Sequence, residues 1–154
     1  MIIYRDYFDS FIGTLKIVAN DQFLVSINLA KEIKDCRSNH IVKITKKWLE
    51  GYFKKDVPNW IPPLMPYKSS FRQKVINEVL NIPFGKCLSY KDIALRINLP
   101  KSYRAVALAL KENSYLILVP CHRVVSKRGI GGYSLGVDKK IKLLEFEECE
   151  SINL

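Results

Sequence analysis

Four prolines crowd the nine residues Pro58-Asn59-Trp60-Ile61-Pro62-Pro63-Leu64-Met65-Pro66, and this stretch divides the chain. Proline has no backbone N–H and a locked φ, so the stretch can be neither helix interior nor central strand. Its Trp60, Ile61, Leu64 and Met65 are too apolar for a free linker, so it is expected to lie packed along the surface between two lobes. A chain of 154 residues accommodates two such lobes and excludes a large multidomain machine. The expected boundaries are 1–66, a β/α lobe ending in this connector, and 67–154.

The first lobe reads as β followed by α. Residues 14–18 and 23–27 alternate apolar with polar around an Asn20-Asp21 turn, which predicts an antiparallel hairpin. From Ile41 the period lengthens, and Ile41, Ile44, Trp48, Leu49, Tyr52 and Phe53 recur at helical spacing. Beyond the prolines the pattern is helical. Ser70 and Gln73 have capping-box spacing ahead of an apolar face made by Phe71, Val75, Val79 and Leu80. Ser89 and Asp92 cap a helix through Ile97, and Ser102 is placed to cap another from Tyr103 to about Glu112. A final helix is expected from Asp138 to about Glu148. The fold class is α+β: a small antiparallel-sheet lobe with a helix, then a mainly helical lobe.

Two short helices joined by the turn Asn98-Leu99-Pro100-Lys101 satisfy the requirement of a helix-turn-helix. The second carries Arg104-Ala105-Val106-Ala107-Leu108-Ala109, a single long cation among small side chains. Such a helix can approach a narrow surface closely, and a close helix–helix contact would select the same small residues. The chain has 25 basic and 15 acidic residues, net +10, and residues 67–137 hold 12 basic against 3 acidic. A polyanion fits that distribution through counterion release, and so does a solvated surface.

The apolar run Leu116 to Val125 is strand-like and delivers Cys121 directly after Pro120. A buried cysteine is ordinarily inert packing. Here polar His122 and cationic Arg123 follow at once, and burying such groups is costly without partners. A free thiol, with pKa about 8.5, needs a neighbouring base or cation to become a nucleophile. His122 can act as that base through a turn or a bridging water, with Glu145, Glu147 and Glu148 as carboxylates that could orient it. Gly129, Gly131 and Gly132 match no phosphate-binding loop, and read as the wall of a pocket or as a plain turn. Cys36 and His40 are a possible ligand pair without the second pair that a zinc site requires, so no metal is expected.

The segment Pro120-Cys121-His122-Arg123-Val124 makes the chain resemble the O6-alkylguanine-DNA alkyltransferases, also called methylated-DNA–protein-cysteine methyltransferases. From about Phe71 to Glu147 the likeness continues through Pro83-Phe84-Gly85-Lys86, Ser89-Tyr90, Arg104-Ala105-Val106, Asn113 and Gly131-Gly132-Tyr133-Ser134. The resemblance implies that 67–154 is a DNA-binding and alkyl-transfer domain which moves the O6 substituent of guanine irreversibly onto Cys121. It implies that His122, oriented by Glu147, activates the thiol through water, and that Tyr90 donates to the departing base and crowds its 3′ phosphate. Arg104 would enter the base stack, with Ser102, Ala105 and Arg123 also at the DNA. Val124, Tyr133, Ser134, Asn113 and Gly131 would form or support the base pocket. The implied partner is double-stranded DNA containing O6-alkylguanine, engaged by a monomer without cofactor. Asn113 is followed by Ser114 where the family often has proline, and Ala107 stands where it often has glycine.

Two rival readings follow from the residues: a non-catalytic helix-turn-helix protein that binds alkylated DNA, and a cysteine hydrolase using Cys121 and His122. The scattered cysteines and the early Arg5 and Asp6 predict a reducing, cytoplasmic setting rather than export.

Overall fold

The computed structural model describes residues 2–149; the last five residues of the expected second domain lie outside the described residues. The described residues form two compact units, one running to Met65 and including Ser114–Leu118, the other comprising Pro66–Asn113 and residues 119–149.

In the first unit, β1 (Tyr4–Ser10), β2 (Gly13–Ala19) and β3 (Leu24–Leu29) form an antiparallel sheet in that order. The expected hairpin is β2–β3, registered Leu15 to Leu29 and Ile17 to Ile27, with a bulge at Val18/Ala19. Leu15, Ile17, Ala19, Leu24 and Ile27 are fully buried, which is the alternation that made these strands readable. Asn20 closes the turn by accepting the amides of Gln22 and Phe23 at 2.8 and 2.7 Å. β1 was not expected. Most of its residues are half-buried, so it carries no alternating pattern.

Helix α1 (His40–Phe53) starts at Asn39, whose side chain accepts the Val42 amide at 2.9 Å. It packs Val42, Trp48, Leu49 and Tyr52 on the sheet, and Phe53 stacks on Phe8 with ring centroids 5.7 Å apart. Gly51 lets the chain turn back over the helix end, because a Cβ there would lie 2.7 Å from the Asp56 carbonyl. The proline-rich connector is pinned by hydrogen bonds rather than by its apolar side chains. Leu24 N–H donates to the Pro63 carbonyl at 2.7 Å, and Met65 N–H donates to Tyr115 Oη at 3.1 Å. Trp60, Ile61 and Met65 are exposed, contrary to the packed segment expected.

The apolar run ahead of Cys121 also differs from expectation. It is a chain of turns, not a strand, apart from the two residues of β5 (Val124–Val125). Ile117 has φ 71° and Leu118 N–H donates to the Leu116 carbonyl at 2.8 Å, a tight turn that is strained for a β-branched residue. Pro120 then removes the next donor.

The second unit is built on α2 (Ser70–Leu80), α3 (Tyr90–Arg96), α4 (Tyr103–Lys111) and α5 (Val137–Phe146). The cap of α2 is Ser69, which accepts the Arg72 amide at 3.3 Å, and Gln73 turns to Asn77. The expected Ser70–Gln73 box therefore does not form, and the cap lies one residue earlier. The Ser89–Asp92 box on α3 forms in both directions. Val75, Val79, Ile93, Ala94, Val106 and Leu110 form the shared core of α2, α3 and α4. The two-residue strand β4 (Leu88–Ser89) pairs parallel with β5, tying the start of α3 to the segment after Cys121. Among the described residues no helix is long and apolar enough to cross a membrane.

Candidate active site

Cys121 opens a single 3₁₀ turn, Cys121–Arg123, directly after Pro120. It is 5% exposed and forms part of a cleft of about 560 Å³ that also touches Tyr90, Leu108, Lys111, Tyr133 and Ser134. Asn113 Nδ2 donates to Cys121 Sγ at 3.1 Å and to the Val119 carbonyl at 3.0 Å. Burial pushes the thiol up to about 11, against the pull of Asn113 and Lys140. At neutral pH the resting group is a thiol, not a thiolate.

The base beside it is neutral as well. His122 is fully buried, and burial lowers its pKa. Its Nε2 lies 2.5 Å from Glu147 Oε2. Glu147 follows the last turn of α5, where Arg123 Nε donates to Oε1 at 2.7 Å and Arg123 Nη2 to Oε2 at 3.2 Å. The Gly85 amide donates to the same carboxylate at 3.0 Å. Burial alone would raise Glu147, but the bonds from His122 and Arg123 outweigh it and hold the carboxyl at about 2. An ionised Glu147 then accepts Nε2–H, which leaves Nδ1 as the basic nitrogen of the imidazole. Of the three candidate carboxylates, Glu147 is the one brought to the histidine; Glu145 and Glu148 are exposed.

Arg123 requires a correction. Expected at the DNA, it is 6% exposed, paired with Glu147, bonded through Nη1 to the Ile82 carbonyl at 2.8 Å, and set over the Phe84 ring. A guanidinium buried and paired in this way is turned toward the carboxylate and not toward solvent. It neutralises the carboxylate that orients His122.

The expected pocket residues divide in two. Tyr90, Tyr133 and Ser134 line the cleft with Cys121. Val124, Asn113 and Gly131 stand behind its wall: Val124 is fully buried, Asn113 holds the sulfur, and Gly131 lies under Tyr90. Gly131 has φ 76°, and a Cβ on it would lie 2.9 Å from Tyr90 Oη, so this position requires glycine twice over. Tyr90 Oη donates to the Gly132 carbonyl at 3.5 Å. Tyr133 Oη is buried and finds no hydrogen-bond partner among the described residues.

On α4, Arg104 and Ala105 are exposed. Ser102 occupies the cap position, but its hydroxyl donates back to the Leu99 carbonyl at 2.6 Å instead of capping the helix. Leu108, one turn after Arg104, is 57% exposed at the cleft.

Lys140 was missed by sequence reasoning. It is fully buried, and its Nζ donates to the Val124 carbonyl at 2.7 Å and the Gly132 carbonyl at 2.8 Å. A signal was present: Lys140 shares the i, i+3, i+4, i+7 stripe of α5 with Leu143, Leu144 and Glu147, and charges on a buried stripe need partners.

Residues 70–149 match the family described as 6-O-methylguanine DNA methyltransferase, DNA binding domain. The chain is 39% identical over 150 residues to the methylated-DNA–protein-cysteine methyltransferase of Metallosphaera sedula, covering 96% of this chain and 94% of that one. It is similar in structure to the O6-methylguanine methyltransferase of Mycobacterium tuberculosis, with TM-score 0.83 and 28% identity over 96% of this chain and 93% of that one. The structure of Mycobacterium tuberculosis OGT in complex with DNA gives TM-score 0.81 and 31% identity, covering 92% and 91% of the two chains. With Cys121, His122 and Glu147 assembled beside the cleft, these likenesses establish that the chain belongs to the 6-O-methylguanine DNA methyltransferase family.

Proposed function

We propose that this protein repairs O6-alkylguanine in duplex DNA by transferring the alkyl group to Cys121, once per molecule. The observation that carries the reading is a buried thiol at a cleft, adjacent in the chain to a neutral histidine held by an ionised carboxylate. The S–C bond forms as the C–O6 bond breaks, the thiol proton passes through water to His122 Nδ1, and the guanine anion takes its proton from Tyr90 Oη, which the proton held on His122 restores through solvent. The thioether product has no good leaving group, so the protein is consumed.

A buried sulfur cannot reach a stacked base, so the nucleotide must rotate out of the duplex, at a cost of a few kcal/mol. Exposed Arg104, on the accessible face of α4, fills the vacated stack. Ser102 and Ala105 lie beside it at the backbone, and Tyr90 donates to the leaving base. Tyr133 and Ser134 bound the base, and the buried Tyr133 hydroxyl has a donor to offer it. The protein acts as a monomer, with 67–154 as its DNA-binding and alkyl-transfer domain, and resides in the cytoplasm, a setting supported by cysteines scattered without the paired spacing of a disulfide scaffold.

Intact mass spectrometry after incubation with a duplex containing O6-methylguanine tests this. The mass should rise by one methyl and stop, with the group on Cys121, and Cys121→Ser should show no gain. A methyl on another residue, or continued turnover, overturns the reading. Binding without any mass gain would favour the non-catalytic alternative.

A further inference from the structure

The buried charges of Arg123, His122 and Glu147 sum to zero in the resting protein. Arg123 is neutralised by Glu147, and His122 is uncharged in the resting protein. Removing the thiol proton would place a negative charge on a sulfur that is 5% exposed, with no cation in that set left to face it. Lys140 is the remaining buried cation among the described residues. Among the described residues no carboxylate lies within ion-pair distance of it, and its Nζ is bonded to two backbone carbonyls, Val124 at 2.7 Å and Gly132 at 2.8 Å. One carbonyl lies three residues after Cys121, and the other belongs to a residue lining the cleft. Burying an ammonium on carbonyl oxygens alone is costly, and an anion that appears only during reaction would offset that cost.

We infer that Lys140 is a positioning residue that acts in two ways, tying the Val124 and Gly132 segments together and holding its ammonium fixed as the counter-charge for the Cys121 thiolate as that forms. The inference rests on Cys121 being the alkyl acceptor. Its physical basis is electrostatic preorganisation, a cation set in place before the charge develops. The titratable groups facing Lys140 are Cys121, Cys87, Tyr90, whose ring centroid is 5.8 Å from Nζ, and His122. Of these, Cys121 and Cys87 favour its charged form, while burial opposes it and lowers the lysine to about 8. The thiol in turn feels Lys140 as a pull downward.

Lys140→Met keeps the length and apolar stem of the side chain while removing the charge. The test is the pH dependence of Cys121 alkylation by iodoacetamide, where the S–C bond forms and iodide leaves, with the site located by peptide mass spectrometry. In Lys140→Met the Cys121 reaction should be about tenfold slower at pH 7.5, where the native lysine holds its proton, the equivalent of one unit upward on that arm of the profile. The gap should narrow above pH 8, as the native lysine loses its own proton. Lys140→Arg should recover most of the rate. A purely structural clasp predicts the opposite sign, because loosening the wall would hydrate the thiol and move its profile down toward the ordinary range. An unchanged or downward profile overturns the inference. If Lys140→Met does not fold, the same comparison is made on Lys140→Arg and the native protein, which must then agree within twofold for the inference to stand. The reading of iodoacetamide kinetics is independent of DNA, so failure of methyl transfer with a normal Lys140 effect would count against the proposed function alone.

Discussion

Replacing Glu147 by Gln tests the buried cluster most directly, because it preserves shape and a carbonyl acceptor for His122 while removing one charge. The native carboxyl is displaced from its ordinary 4.5 to about 2. At about 1.4 kcal/mol per unit, that displacement contributes about 3 kcal/mol to folding at neutral pH. An independent route gives a similar size: a buried ion pair broken from one side costs about 3–5 kcal/mol, here by leaving Arg123 charged and unpaired. For a chain of 154 residues, that corresponds to a fall in Tm of roughly 6–12 °C. The pH dependence supplies the sharper check. A depressed carboxylate stabilises fully above its unfolded pKa, and the contribution is lost as pH falls from about 4.5 toward 2. Thermal unfolding followed by circular dichroism at pH 7, 4 and 2.5 should therefore show the native and Glu147→Gln proteins converging in acid. Buried His122 also destabilises the fold as it protonates below its ordinary pKa, and more so in Glu147→Gln, which lacks the carboxylate that favours the charged imidazole; the gap should therefore hold or widen down to about pH 4.5 before it closes. A gap that stays constant from pH 7 to 2.5, or that is below about 1 kcal/mol at pH 7, would refute the assignment of Glu147 as the ionised hub.

Arg104→Ala should reduce transfer from duplex DNA about tenfold more than reaction with free O6-benzylguanine, since only the duplex must be unstacked; equal losses would remove the finger role. Asn113→Leu takes a donor from both the Val119 carbonyl and the Cys121 sulfur, so stability should fall by about 1–3 kcal/mol. The thiol should also titrate higher in that variant, because the Asn113 bond lowers it; iodoacetamide kinetics against pH would detect a shift of either sign. Gly131→Ala places a side chain at φ 76° and against Tyr90 Oη, for an expected cost of about 1–3 kcal/mol and slower transfer. A variant with native Tm and native rate would show that the loop simply moves aside.

What could be read along the chain was whatever repeats locally. The β2–β3 hairpin, α1 and the Ser89–Asp92 cap follow from periodicity and from side chains that bond within three residues. Cys121 and His122 were legible because polar groups at the end of an apolar run demand an explanation, and Glu147 through the resemblance. β1 escaped because its half-buried residues lack alternation, and Ser69 displaced Ser70 because two adjacent hydroxyls offer the same local chemistry.

Composition and spacing by themselves determined the β2–β3 hairpin, the helices and the tight pairing of α3 with α4, and marked Cys121 as a candidate, since these depend on neighbours in sequence. Tertiary structure alone decided the fates of the cations. Arg123 and Lys140 look alike as charges in a string of letters, yet one is spent on a carboxylate 24 residues away and the other on two backbone carbonyls. Burial and partner choice arise from contacts between distant segments, and one-dimensional periodicity carries no record of which charge will meet which acceptor.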